Sequence, residues 1–227
     1  MANKRRTWGH VVFTDRKKFL FQCPGSKVKP VHWDVPGKST SGGQVYQPNH
    51  PQCVNVYAGI SKYGTTKVHV VAGTSKHKTA YKNKRGEPAR NITSSAYRDV
   101  LNGTLLPSAS EMMNSHGIGS WVFQQDNDPT HGCAKLVIME WNKKPHSNVQ
   151  LLPNWPPNSP DLNILENVWA YVQQKVNARG GGSFDAFKEA VISEIKSVPR
   201  KVICNLYASL PKRMAAVIAN DGGKTKY

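Results

Sequence analysis

The order of strand-like and helix-like segments limits the fold of this chain more than any other feature. Strand-like alternation or short apolar runs cover residues 10–15, 18–22, 54–60, 67–71, 121–126 and 149–152. Helical patterns dominate beyond residue 95, so strands come first and a mixture of strands and helices follows. Consecutive strands favour an antiparallel arrangement, and the later mixture favours parallel strands. The sequence therefore predicts a single α/β domain over residues 1–227, in which helices flank a mixed sheet.

Capping signals set the expected ends of the helices. Helical patterns cover residues 95–103, 108–114, 129–142, 160–177 and 199–220, the last as one helix or two. Ser183 is typical of a helix N-cap and predicts a further helix after it. Ser159 and Pro160 resemble a second helix opening, which would place Asp161 at the positive end of the helix dipole. Residues 23–51 are rich in Gly, Pro and Ser and are expected to be irregular.

The charge of the chain points to a polyanionic partner. The sequence holds 31 Lys and Arg against 14 Asp and Glu, a formal charge of +17. Nucleic acid is the usual partner of such a chain, because each neutralised phosphate releases counterions; a ribosomal protein or one that binds anionic membranes is the alternative. One basic strip is a candidate DNA contact or else a solvated loop, and it comprises Lys76, Lys78, Lys82, Lys84, Arg85 and Arg90.

Several protein classes fit the sequence poorly. The chain has no apolar run near the roughly 20 residues that a membrane-spanning helix needs. The basic residues 1–6 are not followed by the apolar stretch of a secretory signal, so the protein is not expected to be secreted. Four cysteines lie far apart, at Cys23, Cys53, Cys133 and Cys204, and form no paired motif. This spacing argues against a zinc site or a disulfide framework, and a reducing compartment fits.

Two acidic residues follow apolar strand-like runs. Asp15 shares a strand face with Val11 and Phe13, where a buried carboxylate needs a partner or a metal ion. The alternative is a solvated turn residue. Asp126 follows the apolar run 121–125, at the kind of strand end where α/β sheets bind ligands. A helix start there would explain Asp128 as N-cap but would leave Asp126 unexplained; His131 is expected to support the site rather than to bind metal.

A third acidic residue lies on a predicted helix. Glu166 follows Leu165 at the edge of the buried stripe of helix 160–177, near the sheet and reachable by solvent. An ordinary surface glutamate is the alternative. Acids from two strands and a helix can hold two divalent ions about 4 Å apart, which activate water and stabilise the leaving oxygen of a phosphodiester. As a set, Asp15, Asp126 and Glu166 therefore predict a metal-dependent nuclease-type site.

These segments resemble the catalytic domain of the mariner superfamily of cut-and-paste DNA transposases. The resemblance rests on residues 13–15, 97–107, 123–131, 155–169 and 210–227. It implies a ribonuclease-H-like fold, two Mg²⁺ or Mn²⁺ ions and an Asp-Asp-Glu triad at Asp15, Asp126 and Glu166, with Asp128, His131 and Asp161 in support. It further implies DNA cleavage at element ends, joining of the freed 3′-hydroxyl to target DNA, dimers, and a nuclear location in a eukaryote.

The chain departs from that pattern in three ways. Arg16 stands where the family commonly has an acid. Between Asp126 and Glu166 lie 39 residues, more than in the best-known branches of the family. Asp161 as the third acid would shorten this gap to 34 residues, but Glu166 occupies the place of the catalytic acid. An insertion around 143–148 explains the excess. The helix-turn-helix modules that precede the catalytic domain in the family are expected to be absent from this chain.

Three hypotheses follow from the sequence. The first is an active transposase catalytic domain. The second is an inactive or co-opted relic that binds nucleic acid without cutting it. The third, a ribonuclease or junction resolvase on the same fold, is weaker because the segments that match the transposases are so specific.

Overall fold

In a computed structural model of the chain, the structure describes residues 8–21, 52–71, 92–179, 182–223 and 225–227. The segment 23–51, expected to be irregular, lies outside these residues. The six basic residues of the strip between 76 and 90 also lie outside them.

A mixed sheet forms the centre of the fold. Its strands are β1 (Val11–Leu20), β2 (Cys53–Ser61), β3 (Gly64–Thr65), β4 (His69–Val71), β5 (Trp121–Gln124) and β6 (Val149–Leu151). The spatial order is β3-β2-β1-β5-β6, and β4 also pairs with β2. The first four strands pair antiparallel, whereas β1, β5 and β6 run parallel. The predicted combination of antiparallel and parallel strands is confirmed.

The first strand is longer than the sequence predicts. The expectation of two strands, 10–15 and 18–22, is wrong, because β1 continues through the intervening basic residues. Arg16 and Lys18 are exposed, and Lys17 lies on the same side as the buried Phe19. Residues 13–20 pair without a break with residues 53–60 of β2. Backbone pairing along a continuous partner strand thus outweighs the local appearance of a charged turn.

Helices cover both faces of the sheet. They are α1 (Ser94–Val100), α2 (Leu106–Asn114), α3 (Ala134–Trp141), α4 (Leu165–Ala178), α5 (Phe184–Lys196) and α6 (Arg200–Ala219). A π-helical turn, Leu101–Leu105, joins α1 to α2, so the two short helices predicted there form one helical run. A 3-10 turn, Pro129–Cys133, precedes α3. Ser183 caps α5 as predicted, since its Oγ accepts from the amide of Ala186 at 3.2 Å.

The start of α4 is the main correction. The helix begins at Leu165 rather than at Pro160, so Ser159 is not its cap and Asp161 does not lie at its positive end. The Asn163 side chain instead accepts from the amide of Leu165 at 3.2 Å, just before the first turn. Asp161 is held by residues distant in sequence, because Thr225 donates to its carboxylate at 2.9 Å. Tertiary contacts therefore replace the local cap.

The side chains of the sheet alternate between two cores. Phe13 and Trp169 belong to a cluster beneath α4, α5 and α6. Val12 and Tyr57 belong to a second cluster beneath α1, α2 and α3. The result is three layers, helices on sheet on helices, whose central strands are buried on both faces. Within the described ranges, no helix is both long and apolar enough to cross a membrane.

Candidate active site

The register of two parallel strands brings the first two acids together. The last paired residues of β1 and β5 are Phe13 and Gln124. Asp15 and Asp126 each follow two residues later, at the same level of the sheet. They line one cleft of about 440 Å³ together with Glu166, the second residue of α4. The remainder of the cleft wall comes from residues 127–129, 155–160 and 163.

Asp15 lies in the middle of β1, two residues beyond the last β1 residue that pairs with β5. It is therefore not the solvated turn residue of the alternative hypothesis. The indole Nε1 of Trp169 donates to its Oδ2 at 2.9 Å. Burial raises the pKa of Asp15 from the ordinary 3.8 to about 6, even though the Trp169 hydrogen bond acts against the rise. The neighbouring carboxylates of Glu166 and Asp126 raise this pKa further. Burial and the neighbouring like charges therefore both disfavour the ionised form of Asp15.

Asp126 is held from within its own loop. The Nδ1 atom of His131 lies 2.6 Å from Oδ1 of Asp126, and the amide of Asp128 donates to the same oxygen at 3.1 Å. The hydrogen bond from His131 is the main cause that lowers the pKa of Asp126, against the opposing effect of burial. Asp126 is therefore ionised at neutral pH, while half of its side chain stays open to the cleft.

Glu166 has the weakest restraint of the three. The Nζ atom of Lys17 lies 3.8 Å from its Oε2, and both side chains are more than a third exposed. Exposed pairs of this kind contribute about 0–1 kcal/mol, because water screens them and both side chains lose freedom. The carboxylate can therefore leave Lys17 at little cost.

The donor set fits divalent ions in chemistry. Three carboxylates supply the hard oxygen ligands that Mg²⁺ and Mn²⁺ take. Burial, and to a lesser extent the charges of Glu166 and Asp126, raise the pKa of Asp15, and a cation bound here would offset both effects. In the conformation described, however, no three His, Cys, Asp or Glu side chains of the described residues lie close enough to bind one ion jointly. The carboxylates line the cleft without closing into a cage.

Comparison with known proteins gives the family. No family model matches the chain. The Tcb2 transposase of Caenorhabditis briggsae is 31% identical over 233 residues, covering 98% of this chain and 72% of that protein. The Tc1 transposase of Caenorhabditis elegans is 31% identical over 230 residues, with the same two coverages. This chain belongs to the Tc1/mariner family of transposases.

Solved structures of a mariner transposase share the fold of this Tc1/mariner chain. The catalytic domain of Mos1 transposase superposes with a TM-score of 0.65 at 15% identity, over 98% of this chain and 88% of that chain. A pre-cleavage Mos1 transpososome gives 0.68 at 16% identity, with 98% of this chain and 59% of that longer chain covered. The fold is therefore ribonuclease-H-like, and the chain is a transposase catalytic domain.

The supporting acids of this transposase domain have different positions. Asp128 caps the 3-10 turn, because its Oδ1 accepts from the amide of Thr130 at 2.8 Å. Its other oxygen lies 4.0 Å from the guanidinium of Arg16, the residue that departs from the family pattern. Asp161 is not among the residues that line the cleft. Its backbone carbonyl accepts from Arg213 at 2.7 Å, so it belongs to the contacts between the loop before α4 and α6.

Sequence reasoning missed several partners of the acids. Helical spacing alone places Trp169 in the buried stripe of α4, although a buried indole N–H requires an acceptor and is thus a signal. Lys17 lies between the two strands expected at 10–15 and 18–22. Arg213 is 3% exposed and donates to one residue before Glu166 in the sequence and one after it. The acceptors are the backbone carbonyl of Asp161 and the side chain of Asn167. No signal in the sequence identifies that contact.

Proposed function

We propose that this domain cleaves DNA phosphodiesters at transposon ends and joins the freed 3′-hydroxyl to target DNA, with two Mg²⁺ or Mn²⁺ ions held by Asp15, Asp126 and Glu166. The observation that carries the proposal is the shared cleft, which brings together Asp15 of β1, Asp126 from the loop after β5 and Glu166 of α4. Mos1 paired-end complexes with Mn, with Mg and with the left transposon end support the same chemistry on the same fold.

The protein groups have separable tasks in this reaction. Bound ions would supply activation of a water molecule or 3′-hydroxyl and stabilisation of the leaving oxygen. Trp169 fixes Asp15 through its Nε1–H, and His131 fixes Asp126 through Nδ1. Glu166 would hold a cation in place of its present partner Lys17, which lies 3.8 Å from its Oε2. Release of Lys17 would let the carboxylate of Glu166 turn towards Asp15 and Asp126. The three carboxylates would then lie close enough to bind an ion jointly.

DNA fits the remaining features as the substrate. The chain carries a formal charge of +17, so contact with a phosphate backbone releases counterions and gains free energy. The basic strip of residues 76–90 is the proposed backbone contact beyond the cleft. Action as a homodimer agrees with the paired-end complexes of Mos1, in which two element ends are brought together. The place of action is then the nucleus in a eukaryotic cell.

The test is divalent-metal-dependent cleavage of duplex DNA that carries the ends of the element. The full chain should nick the ends with Mg²⁺ or Mn²⁺, lose the activity with EDTA, and transfer a pre-cut 3′-hydroxyl end to plasmid DNA. Asp126→Asn and Glu166→Gln should each reduce cleavage by about 100-fold or more. Glu189→Gln, an exposed glutamate of α5, is the matched control and should cleave like the wild type.

The other outcomes have defined meanings. DNA binding without cleavage under any metal condition would favour the inactive, co-opted alternative. Cleavage confined to RNA–DNA hybrids or four-way junctions would favour the ribonuclease or resolvase alternative. Equal activity of wild type and Glu166→Gln would remove Glu166 from the site.

A further inference from the structure

We propose that His131 is a positioning residue that orients the carboxylate of Asp126 for metal binding, and that the hydroxyl of Tyr57 fixes the His131 tautomer this requires. The inference rests on the proposed function, because it assigns Asp126 to the metal ions. It adds a chain of three side chains, Tyr57–His131–Asp126, that runs from the interior of the sheet to the cleft.

The first step concerns the contact between His131 and Asp126. The two side chains meet at 2.6 Å between Nδ1 and Oδ1. An ionised carboxylate only accepts hydrogen bonds, so the proton must lie on Nδ1 of the imidazole. The low pKa of Asp126 agrees, since this hydrogen bond is its main cause. His131 is 6% exposed whereas the side chain of Asp126 is 51% exposed, so the buried ring restrains the open carboxylate.

The second step concerns the rigidity of the ring. The phenol of Tyr97 stacks on the imidazole of His131 with centroids 4.0 Å apart and an interplanar angle of 29°. The Tyr97 hydroxyl donates to Oε1 of Gln125 at 2.9 Å, and Nε2 of Gln125 donates to the backbone carbonyl of His131 at 3.2 Å. Both the plane of the ring and its backbone are therefore held by neighbours. A ring fixed in this way can hold a carboxylate in one orientation.

The third step concerns the other nitrogen of the ring. Nε2 of His131 and the hydroxyl of Tyr57 are both buried, and neither has a hydrogen-bond partner among the described residues. The centroids of the two rings lie 6.3 Å apart. With the proton on Nδ1, Nε2 is an acceptor, and a tyrosine hydroxyl is a donor. Burial raises the pKa of Tyr57 far above its ordinary value, so the hydroxyl keeps its proton at neutral pH.

Each of the two groups therefore supplies what the other lacks. The proposal requires that a small shift of either side chain, or one bridging water, connect the hydroxyl to Nε2. A donor at Nε2 favours the Nδ1–H tautomer, because that is the neutral form with a lone pair on Nε2. Both contacts on Asp126 then stay at Oδ1, from His131 and from the amide of Asp128. Oδ2, which has no donor among the described residues, remains available to a cation.

The first experiment reads the tautomer directly in the metal-free protein. Side-chain ¹⁵N–¹H correlation spectra at pH 7.5 with EDTA, assigned by comparison with His131→Asn, should show a proton on Nδ1 of His131 and none on Nε2. Tyr57→Phe should produce a mixture of tautomers, whereas Tyr171→Phe, a tyrosine of α4, should leave the spectrum unchanged. A proton on Nε2 in the wild-type protein would overturn the inference.

The second experiment measures Mn²⁺ affinity by calorimetry or by the EPR signal of free Mn²⁺. His131→Phe keeps a stacking ring but has no donor, and should weaken Mn²⁺ binding by about 10–100-fold. His131→Asn places an amide N–H near the position of Nδ1 and should recover most of that loss. His116→Phe, at an exposed histidine outside the cleft, is the control and should bind like the wild type.

The two experiments separate this inference from the proposed function. Absence of Mn²⁺ binding by the wild-type protein would refute the proposed function, and the tautomer would still decide whether the chain of three side chains exists. Wild-type binding with equal losses in folded His131→Phe and His131→Asn would refute the positioning role alone. If His131→Phe does not fold, the tautomer spectra of Tyr57→Phe and Tyr171→Phe are compared instead, because neither variant removes a ring.

Discussion

Replacement of Asp15 by asparagine should make the metal-free protein more stable while it removes a proposed metal ligand. The folded state raises the pKa of Asp15 from 3.8 to about 6, mainly through burial. Asp15 thus binds its proton more tightly when the chain is folded, and folding takes up a proton between about pH 4 and pH 6. Above that window, folding must bury a charge, so the free energy of unfolding falls as pH rises through it.

The size of the effect follows from the two pKa values. A rise from 3.8 to about 6 corresponds to about 3 kcal/mol between the protonation states. Asparagine carries no charge and still offers an oxygen to the indole of Trp169. We expect Asp15→Asn to gain about 1–3 kcal/mol at pH 8 and little below pH 4. For a domain of this size, that gain raises the melting temperature by roughly 3–10 °C.

Thermal melts of the two proteins at several pH values, first with EDTA and then with Mg²⁺, test the prediction. Mg²⁺ should stabilise the wild type and should stabilise Asp15→Asn much less, because ligand binding to the folded state alone adds to stability. Asp99→Asn, an exposed acid on α1, is the control and should change stability by no more than about 0.5 kcal/mol. A stability difference that is the same at every pH would refute the electrostatic reasoning.

Three further predictions concern buried donors. Arg213→Met should lose about 2–4 kcal/mol in urea denaturation, because the buried guanidinium serves three acceptors; a loss below about 0.5 kcal/mol would show that they find other donors. Trp169→Phe removes a hydrogen bond that lowers the pKa of Asp15, so the midpoint of Mn²⁺ binding should move to higher pH; an unchanged midpoint would contradict this. Tyr207→Phe should cost about 1–3 kcal/mol in thermal melts, since the single proton of its buried hydroxyl is shared between a backbone carbonyl of β1 and one of β2; an unaltered melting temperature would count against that role.

The convergence of the acids was predictable because parallel pairing of two strands places the residues that follow them at the same edge of the sheet. Asp15 and Asp126 each follow a short apolar run, and parallel pairing of those runs places the two residues at one level of the sheet. Glu166 lies at the edge of the buried stripe that anchors α4 to the same sheet, in the first turn of the helix, so it approaches the same end. Apolar pattern and strand direction together are enough to predict this meeting without any knowledge of distances.

Other features depend on partners distant in the chain. The sequence around Ser159 and Pro160 has the composition of a helix start, yet Asp161 is bound by Arg213, 52 residues later, and by Thr225, 64 residues later. Those contacts hold the segment in a loop, and α4 begins at Leu165 instead. A local pattern cannot report such contacts, because their energy belongs to the packing of α6 against the loop. The continuous β1 strand is a similar case, set by its partner β2.

The three acids also differ in what a metal ion must displace. At Asp15 the donor is a neutral indole, and at Asp126 it is a buried imidazole that contacts only one of the two carboxylate oxygens. A cation can therefore bind while both donors remain. At Glu166 the partner is the ammonium group of Lys17, which stands where a metal cation would bind. Its Nζ is 3.8 Å from Oε2 of Glu166, and both side chains are partly exposed. Displacement there costs about 0–1 kcal/mol. Glu166 is consequently the ligand that moves most easily. Lys17→Met should leave Asp15 and Asp126 unchanged and should strengthen Mn²⁺ binding in titrations. Weaker binding would show that Lys17 holds Glu166 in place for the metal rather than away from it.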